Sequence, residues 1–214
     1  MSTAAVVLAA GRGARLGGEE PKPLVSWRGR PLVAWALDAA LGGGCTPVVL
    51  VVGHDGEAVA ASAPAGVRVV RSAHWADGIS ASLRVALDVL DKDPVVTAAC
   101  IGLADQPRIG AEAYRRLVAA GEQGAEIAVA TYTGHRQNPV LLARSVWAEA
   151  RRLTGDEGAR QLMRTRPVVE VDCTDTGDPT DVDTLGDLRS LDRAPDSSTE
   201  PRRRPEGDDM TGTT

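Results

Sequence analysis

Residues 8–24 read LAAGRGARLGGEEPKPL, from Leu8 to Leu24, and this stretch decides how the rest of the chain is read. It follows an apolar run, Ala4–Ala9. A glycine-rich turn leaving a strand lets backbone N–H groups approach phosphate oxygens, because glycine adopts positive φ without a steric penalty. Two familiar phosphate loops fail on spacing. A dinucleotide fingerprint needs G-x-G-x-x-G, but Gly11 and Gly13 are followed by Leu16 where the third glycine belongs. A Walker A loop needs G-K-[ST], but Gly18 is followed by Glu19 and Lys22 by Pro23. What remains is a long loop carrying Arg12, Arg15 and Lys22, all within reach of a polyphosphate. Residues 1–30 hold five cationic and two acidic side chains in a protein of net charge −5, so positive charge is concentrated at this loop.

Working outward, short β-branched runs alternate with Ala/Leu/Arg-rich stretches of helical period, the pattern of an α/β fold with a mostly parallel sheet. Strands are expected at Ala4–Ala9, Thr46–Val52, Val67–Arg71, Val95–Leu103, Glu126–Thr131 and Pro167–Asp172. Helices are expected at Pro31–Leu41, Gly56–Ser62, Ile79–Leu90, Ala111–Gln123, Ser145–Leu153 and Glu157–Arg164, with a last one opening at Asp183 or Thr184. Near-continuous apolar strands such as PVVLVVG suit a sheet covered on both faces. Residues 1–193 are read as one domain. Residues 194–214, rich in Pro and charge and poor in aliphatic side chains, are read as a disordered tail.

Composition removes several classes. No apolar run approaches the roughly 20 residues a bilayer span needs, and no basic segment precedes the first apolar run as in a secretory signal. Cys45, Cys100 and Cys173 are odd in number and widely spaced, which reads as buried, reduced thiols rather than a disulfide or metal framework. A net charge of −5 argues against nucleic-acid binding. The expectation is a cytoplasmic protein acting on small molecules, with neither nucleic acid nor membrane as partner. Phenylalanine is absent, and of 24 basic residues only Lys22 and Lys92 are lysines. One of the two falls in the loop where a compact point charge suits a triphosphate.

The loop resembles the signature of the molybdenum-cofactor nucleotidyltransferases (the MobA-like group), LAAG-x-[GS]-x-R-[ML]-G with a lysine several residues on. Other blocks resemble that family in the same order: VVGHDGEAV (Val51–Val59), ADGISASLRVAL (Ala76–Leu87), LADQPRI (Leu103–Ile109), NPVLL from Asn138, LTGDEGARQLM from Leu153 and DVDTLGDL from Asp181. The likeness covers roughly residues 3–190. LAAG and GISASL look like the cytidylyltransferase branch, whereas guanylyltransferases typically show LAGG. The resemblance implies a Rossmann-like, three-layer nucleotidyltransferase fold. It also implies transfer of a cytidylyl group from CTP to a phosphorylated pterin cofactor, releasing pyrophosphate. A recipient molybdoenzyme or its chaperone is a further implied partner.

Such chemistry needs in-line placement and neutralisation of negative charge more than a base, since the attacking phosphate oxygen is already ionised. The implied cofactor is Mg2+, with Mn2+ as its substitute. Asp105 ends the apolar strand at the carboxyl edge where open α/β sheets bind ligands. It is a turn or cap aspartate on position alone, and a metal ligand by resemblance. In Asp181-Val182-Asp183 one acid is expected to face the cleft and the other to cap the last helix. Asp183 is the first choice as second metal ligand, Asp181 the second. Lys22 and Arg15, with Arg12 behind them, are assigned to the phosphates; Lys22, between Pro21 and Pro23, is read on a rigid extended backbone. Leu8, Ala9, Ala10, Gly11, Gly13 and Gly78 would meet the nucleotide. Ser80 and Ser82 either touch base or ribose or cap the helix at Ile79. On the acceptor side stand His135, Arg136, Asn138 and Asp156. Asn138 replaces the histidine usual in this branch, His135 and Arg136 read equally as a solvated loop, and Asp156 reads equally as a cap of the helix after it. Rival readings are a guanylyltransferase or another transferase with a small phosphorylated acceptor, a non-catalytic delivery protein, and, weakest, a dehydrogenase.

Overall fold

The computed structural model describes residues 2–11 and 20–192. Arg12, Gly13, Arg15 and the expected tail at 194–214 lie outside the described residues. Seven strands form one sheet: β1 (Ser2–Ala9), β4 (Val48–Val52), β5 (Val67–Arg71), β6 (Val96–Leu103), β7 (Ile127–Tyr132), β8 (His135–Ala143) and β9 (Val169–Asp172). Their order is β5-β4-β1-β6-β8-β7-β9. All neighbours are parallel except β8, which runs antiparallel to β6 and to β7. A separate hairpin pairs β2 (Ser26–Trp27) with β3 (Arg30–Pro31).

Alternation along β1 explains the three layers. Ala5, Val7 and Ala9 enter one core with Val33 and Leu37 of α1 (Leu32–Gly42), Val59 of α2 (Gly56–Ala61) and Tyr114 and Leu117 of α4 (Ala111–Glu122). Ala4, Val6 and Leu8 enter the other, with Leu83, Leu87 and Leu90 of α3 (Ile79–Leu90) and Trp147 of α5 (Trp147–Ala150). Successive strand side chains point to opposite faces, so a strand covered on both sides must be apolar throughout. Cys45, Cys100 and Cys173 are buried and free, as their spacing suggested. No helix among the described residues is long and apolar enough to cross a membrane.

A third, smaller core of Trp27, Leu32, Val182 and Leu191 joins the hairpin to α6 (Leu185–Leu191). Trp27 Nε1 donates to Asp192 Oδ1 at 3.0 Å. This core holds the residue 22–32 segment against the residue 182–192 segment, which sets Lys22 beside Asp183.

Three expectations need correction. His135–Asn138 is not a loop but the first half of β8. The expected helix at Ser145–Leu153 shrinks to a 3-10 turn, Arg144–Val146, followed by the four residues of α5. The helix expected at Glu157–Arg164 is instead two 3-10 turns, Gly158–Arg160 and Leu162–Arg164, and Gly158 at φ 51° cannot carry a right-handed α-helix.

Candidate active site

The sheet changes direction of winding between β1 and β6. These two strands are neighbours, and the strand that follows β1 in the sheet, β4, lies on its other side. Their carboxyl ends therefore open a crevice, the place where α/β sheets bind ligands. Gly11 leaves β1 at this edge and Asp105 leaves β6.

Backbone bonds bring the second acidic segment to Asp105. The Asp105 carbonyl accepts the Val182 N–H at 2.9 Å, and Gln106 Nε2 donates to Pro179 O at 2.9 Å. Val182 is fully buried in the third core, so Asp181 and Asp183, two positions apart, both flank Asp105. The expectation that one of them would cap the last helix fails, because residues i and i+2 of an extended segment share a side. Thr184 is the cap. Its hydroxyl accepts the Asp187 N–H while Asp187 Oδ2 accepts the Thr184 N–H at 2.7 Å, a reciprocal capping box. The same Asp187 oxygen accepts the Asp183 N–H at 3.1 Å, fixing the backbone beneath the candidate ligand.

Lys22 opens a 3-10 turn, Lys22–Leu24, rather than sitting on an extended backbone. Its ammonium donates to Asp105 Oδ2 at 2.6 Å and to Asp183 Oδ1 at 2.7 Å, and its side chain is only 11% exposed. Desolvation works against that charge, yet the attraction of Asp105 and then Asp183 outweighs it, and the ammonium pKa stands above its ordinary value. Desolvation, then the charge of Asp105, pushes the Asp181 carboxyl above the usual carboxylate range. Asp105 Oδ1 is buried with no hydrogen-bond partner.

These features fit a hard divalent cation. Two carboxylates already converge on one positive charge, and a buried carboxylate oxygen is left over. All are oxygen donors of the kind Mg2+ and Mn2+ prefer. Among the described residues no three His, Cys, Asp or Glu side chains form a group that could hold an ion. The side chains that would hold such an ion are the Asp105–Asp183 pair, with Asp181 alongside. That is the usual economy of sites where phosphate oxygens complete the shell.

Two cavities adjoin one another beside Asp105. The smaller, of about 240 Å³, is lined by Ala10, Gly11, Trp75, Gly78, Ser82 and Asp105 among others. The larger, of about 440 Å³, runs over β6 and β8 between α3 and the Gly158–Arg164 turns. Leu8, Ile79, Leu103 and Asp156 line both. The floor of the larger cavity is aliphatic, and Asn138, Gln137, Arg136 and Arg160 stand among its lining. Asn138 reaches it through an irregularity in β8. Val129 pairs with Val140 but Ala130 pairs with Gln137, so Asn138 and Pro139 bulge out of the ladder. Bulges re-aim side chains in this way beside functional clefts.

The other expected residues fall as follows. Ala9 points into the first core, not the cleft. Ser80 is buried and its hydroxyl donates to Gly155 O at 2.8 Å, so only Ser82 of the serine pair reaches the smaller cavity. Neither serine caps α3. Its N-cap is Gly78, and the Ile79 N–H is accepted by Asp156 Oδ1 at 3.2 Å. Asp156 thus serves a helix far back in the chain rather than the one expected after it. His135 is exposed at the outer start of β8 and does not line the cavity. Arg136 lines it while bonded to Glu170 at 2.7 Å. Trp75 and Gln137 were missed, and of these only Trp75 carried a signal, as one of four tryptophans in a chain without phenylalanine; Arg160 lies in the LTGDEGARQLM block that carried the resemblance.

Comparison with known proteins agrees with this geometry. The family pattern described as the MobA-like NTP transferase domain matches residues 5–171. Nicotine blue oxidoreductase of Paenarthrobacter nicotinovorans is 35% identical over 199 residues, covering 87% of this chain and 94% of that protein. The crystal structure of Rv0371c from Mycobacterium tuberculosis H37Rv superposes with a TM-score of 0.78 at 34% identity, over 90% of this chain and 98% of that one. A complex of Rv0371c with manganese gives a TM-score of 0.72 over 89% of this chain and 98% of that one, at 34% identity.

Proposed function

Because the chain belongs to the MobA-like NTP transferase family, we propose that this nucleotidyltransferase moves a cytidylyl group from CTP to a phosphorylated pterin, the molybdenum cofactor, with release of pyrophosphate. The observation that carries the reading is the Lys22–Asp105–Asp183 cluster, whose Asp105 lines the smaller of two adjoining cavities. Donor and acceptor would occupy one cavity each, with the donor phosphates on the Asp105 side of the smaller one.

The smaller cavity takes the nucleoside, with Ala10 and Gly11 offering backbone groups to the base edge and Ser82 a hydroxyl. Trp75 closes one wall. Lys22 neutralises charge on the phosphates, joined by Arg15 and Arg12 of the loop. Asp105 and Asp183, with Asp181 as second choice, would hold Mg2+ or Mn2+, which when bound supplies further charge neutralisation at the transferring phosphate. The larger cavity receives the acceptor: its aliphatic floor suits a flat heterocycle, Asn138 and Gln137 can pair with polar ring edges, and Arg160 and Arg136 suit a phosphate. With the attacking oxygen already anionic, no general base is needed, and rate comes from alignment and charge.

Pyrophosphate release with molybdopterin as acceptor, measured for CTP, GTP, ATP and UTP in turn, tests the assignment. A GTP preference selects the guanylyltransferase alternative, and nucleotide binding without release selects a delivery protein. A second reading, oxidoreductase chemistry, is favoured by one observation, the name carried by the relative from Paenarthrobacter. Leu16 in place of the third glycine speaks against a dinucleotide site. Consumption of reduced nicotinamide without any need for CTP would select it.

A further inference from the structure

The cluster that defines the site is closed by a side chain. Asp105 and Asp183 come from segments far apart in the chain, and one ammonium lies 2.6 and 2.7 Å from them. Two carboxylates converging on one point repel each other unless a cation stands between them. Lys22 supplies that cation from a flexible four-carbon stem, and a lysine, unlike an arginine, behaves as a compact point charge.

We propose that Lys22 is a stand-in for the metal: it occupies the position between Asp105 and Asp183 in the empty enzyme and gives it up when the triphosphate arrives. The inference rests on the reading of Asp105 and Asp183 as the metal carboxylates. A divalent ion entering beside the ammonium would set two like charges a few ångströms apart in a partly desolvated place, so the two cations exclude each other. Phosphate oxygens offer the ammonium a new anionic partner. The exchange therefore ties metal entry to nucleotide entry, and the ammonium offsets the repulsion between the two carboxylates until then. Asp105 Oδ1, buried and unpartnered beside the ammonium-bound Oδ2, is the donor this arrangement keeps in reserve.

The composition makes a direct test possible, since Lys22 and Lys92 are the two lysines of the chain. Protein labelled at lysine side chains gives two ammonium-adjacent NMR signals, assigned by Lys92→Arg at an exposed position. At a Mg2+ concentration below the wild type's nucleotide-free Kd, the Lys22 signal is expected to stay in place without CTP and to move when CTP is added, whose binding is followed separately by tryptophan fluorescence. Movement at that Mg2+ concentration without CTP, or none while CTP binding registers, overturns the exchange. A second measurement uses Mn2+ without nucleotide, read by electron paramagnetic resonance on wild type and Lys22→Met. The variant should bind Mn2+ roughly tenfold more tightly, the size of an ordinary coupling between two ligands. Equal affinities overturn the proposal. If neither protein binds Mn2+ or CTP, the metal-nucleotide reading itself has failed and takes this inference with it.

Discussion

Lys22 Nζ lies 2.6 Å from Asp105 Oδ2 although 83 residues separate the two in the chain. The contact exists because β1 and β6 are sheet neighbours and the third core pins the residue 22–32 segment above their carboxyl ends. Substituting Asp105→Asn keeps the shape and one acceptor oxygen but removes the negative charge. Turnover should fall by about 10²–10³-fold, as when one electrostatic group is taken from a preorganised site. Circular dichroism should remain that of the native fold. Undiminished pyrophosphate release from this variant would remove the mechanism.

Much of this arrangement was legible in the sequence, for reasons that differ between residues. The six strands that run the same way, β1, β4, β5, β6, β7 and β9, were found because such strands are mostly β-branched or apolar runs with turn residues at their ends. Asp105 was found because it ends such a run. β8 was missed since HRQNPVLLA begins with four polar residues and contains Pro139, which cannot donate to a ladder. The structure accommodates that proline in the bulge opposite Val129 and Ala130 and turns the polar half towards the cavity and solvent. Nothing local in the sequence could announce the Asp156–Ile79 bond. It joins residues 77 apart, and both ends also make sense by themselves, as a loop acid and a helix start.

Gly78 shows how tightly that region is built. Its φ is 103°, and a Cβ there would lie 2.5 Å from the Gly155 carbonyl carbon and 2.8 Å from Asp156 Oδ1. Gly78→Ala should therefore destabilise the protein by about 1–3 kcal/mol, the cost of a side chain held in a forbidden backbone region. Because Gly78 and Asp156 line the smaller cavity together, KM for the nucleotide should rise as well. Urea unfolding and initial-rate kinetics read the two effects separately. An alanine variant as stable as wild type would mean that the Gly155 loop moves freely away from α3.

Asp156 has two duties that substitution can separate. As acceptor for the Ile79 N–H it caps α3, and it lines both cavities, where the proposed donor and acceptor sites adjoin. Asp156→Asn keeps the capping oxygen and should leave stability near wild type, whereas Asp156→Ala should cost about 1 kcal/mol, a typical lost cap. If the carboxylate charge matters to the acceptor, both variants shift acceptor KM alike while only alanine shifts the melting temperature. A parallel loss in both quantities for alanine alone would make Asp156 purely structural.

The ionisation of the site predicts opposite behaviour at the two ends of the pH scale. Thr184 hydrogen bonds, from side chain and then backbone, hold the Asp187 carboxyl below the usual carboxylate range. A depressed pKa means that its contribution is present above the unfolded value of about 4 and is lost as pH falls through the folded value. Lys22 is shifted the other way, upward, so its contribution is complete below the unfolded value of about 10.4 and fades only as pH climbs through the folded one. Denaturant midpoints measured from acid to alkaline pH should thus fall on the acid side in wild type and fall less steeply in Asp187→Asn. The alkaline limb should change in Lys22→Met and not in Asp187→Asn. Since Asp187 also accepts the Asp183 N–H, its asparagine variant should lose metal affinity at neutral pH, where Asp183 itself is untouched. An Asp187→Asn protein with wild-type Mn2+ binding would show that the capping box stabilises α6 without positioning the acid beside it.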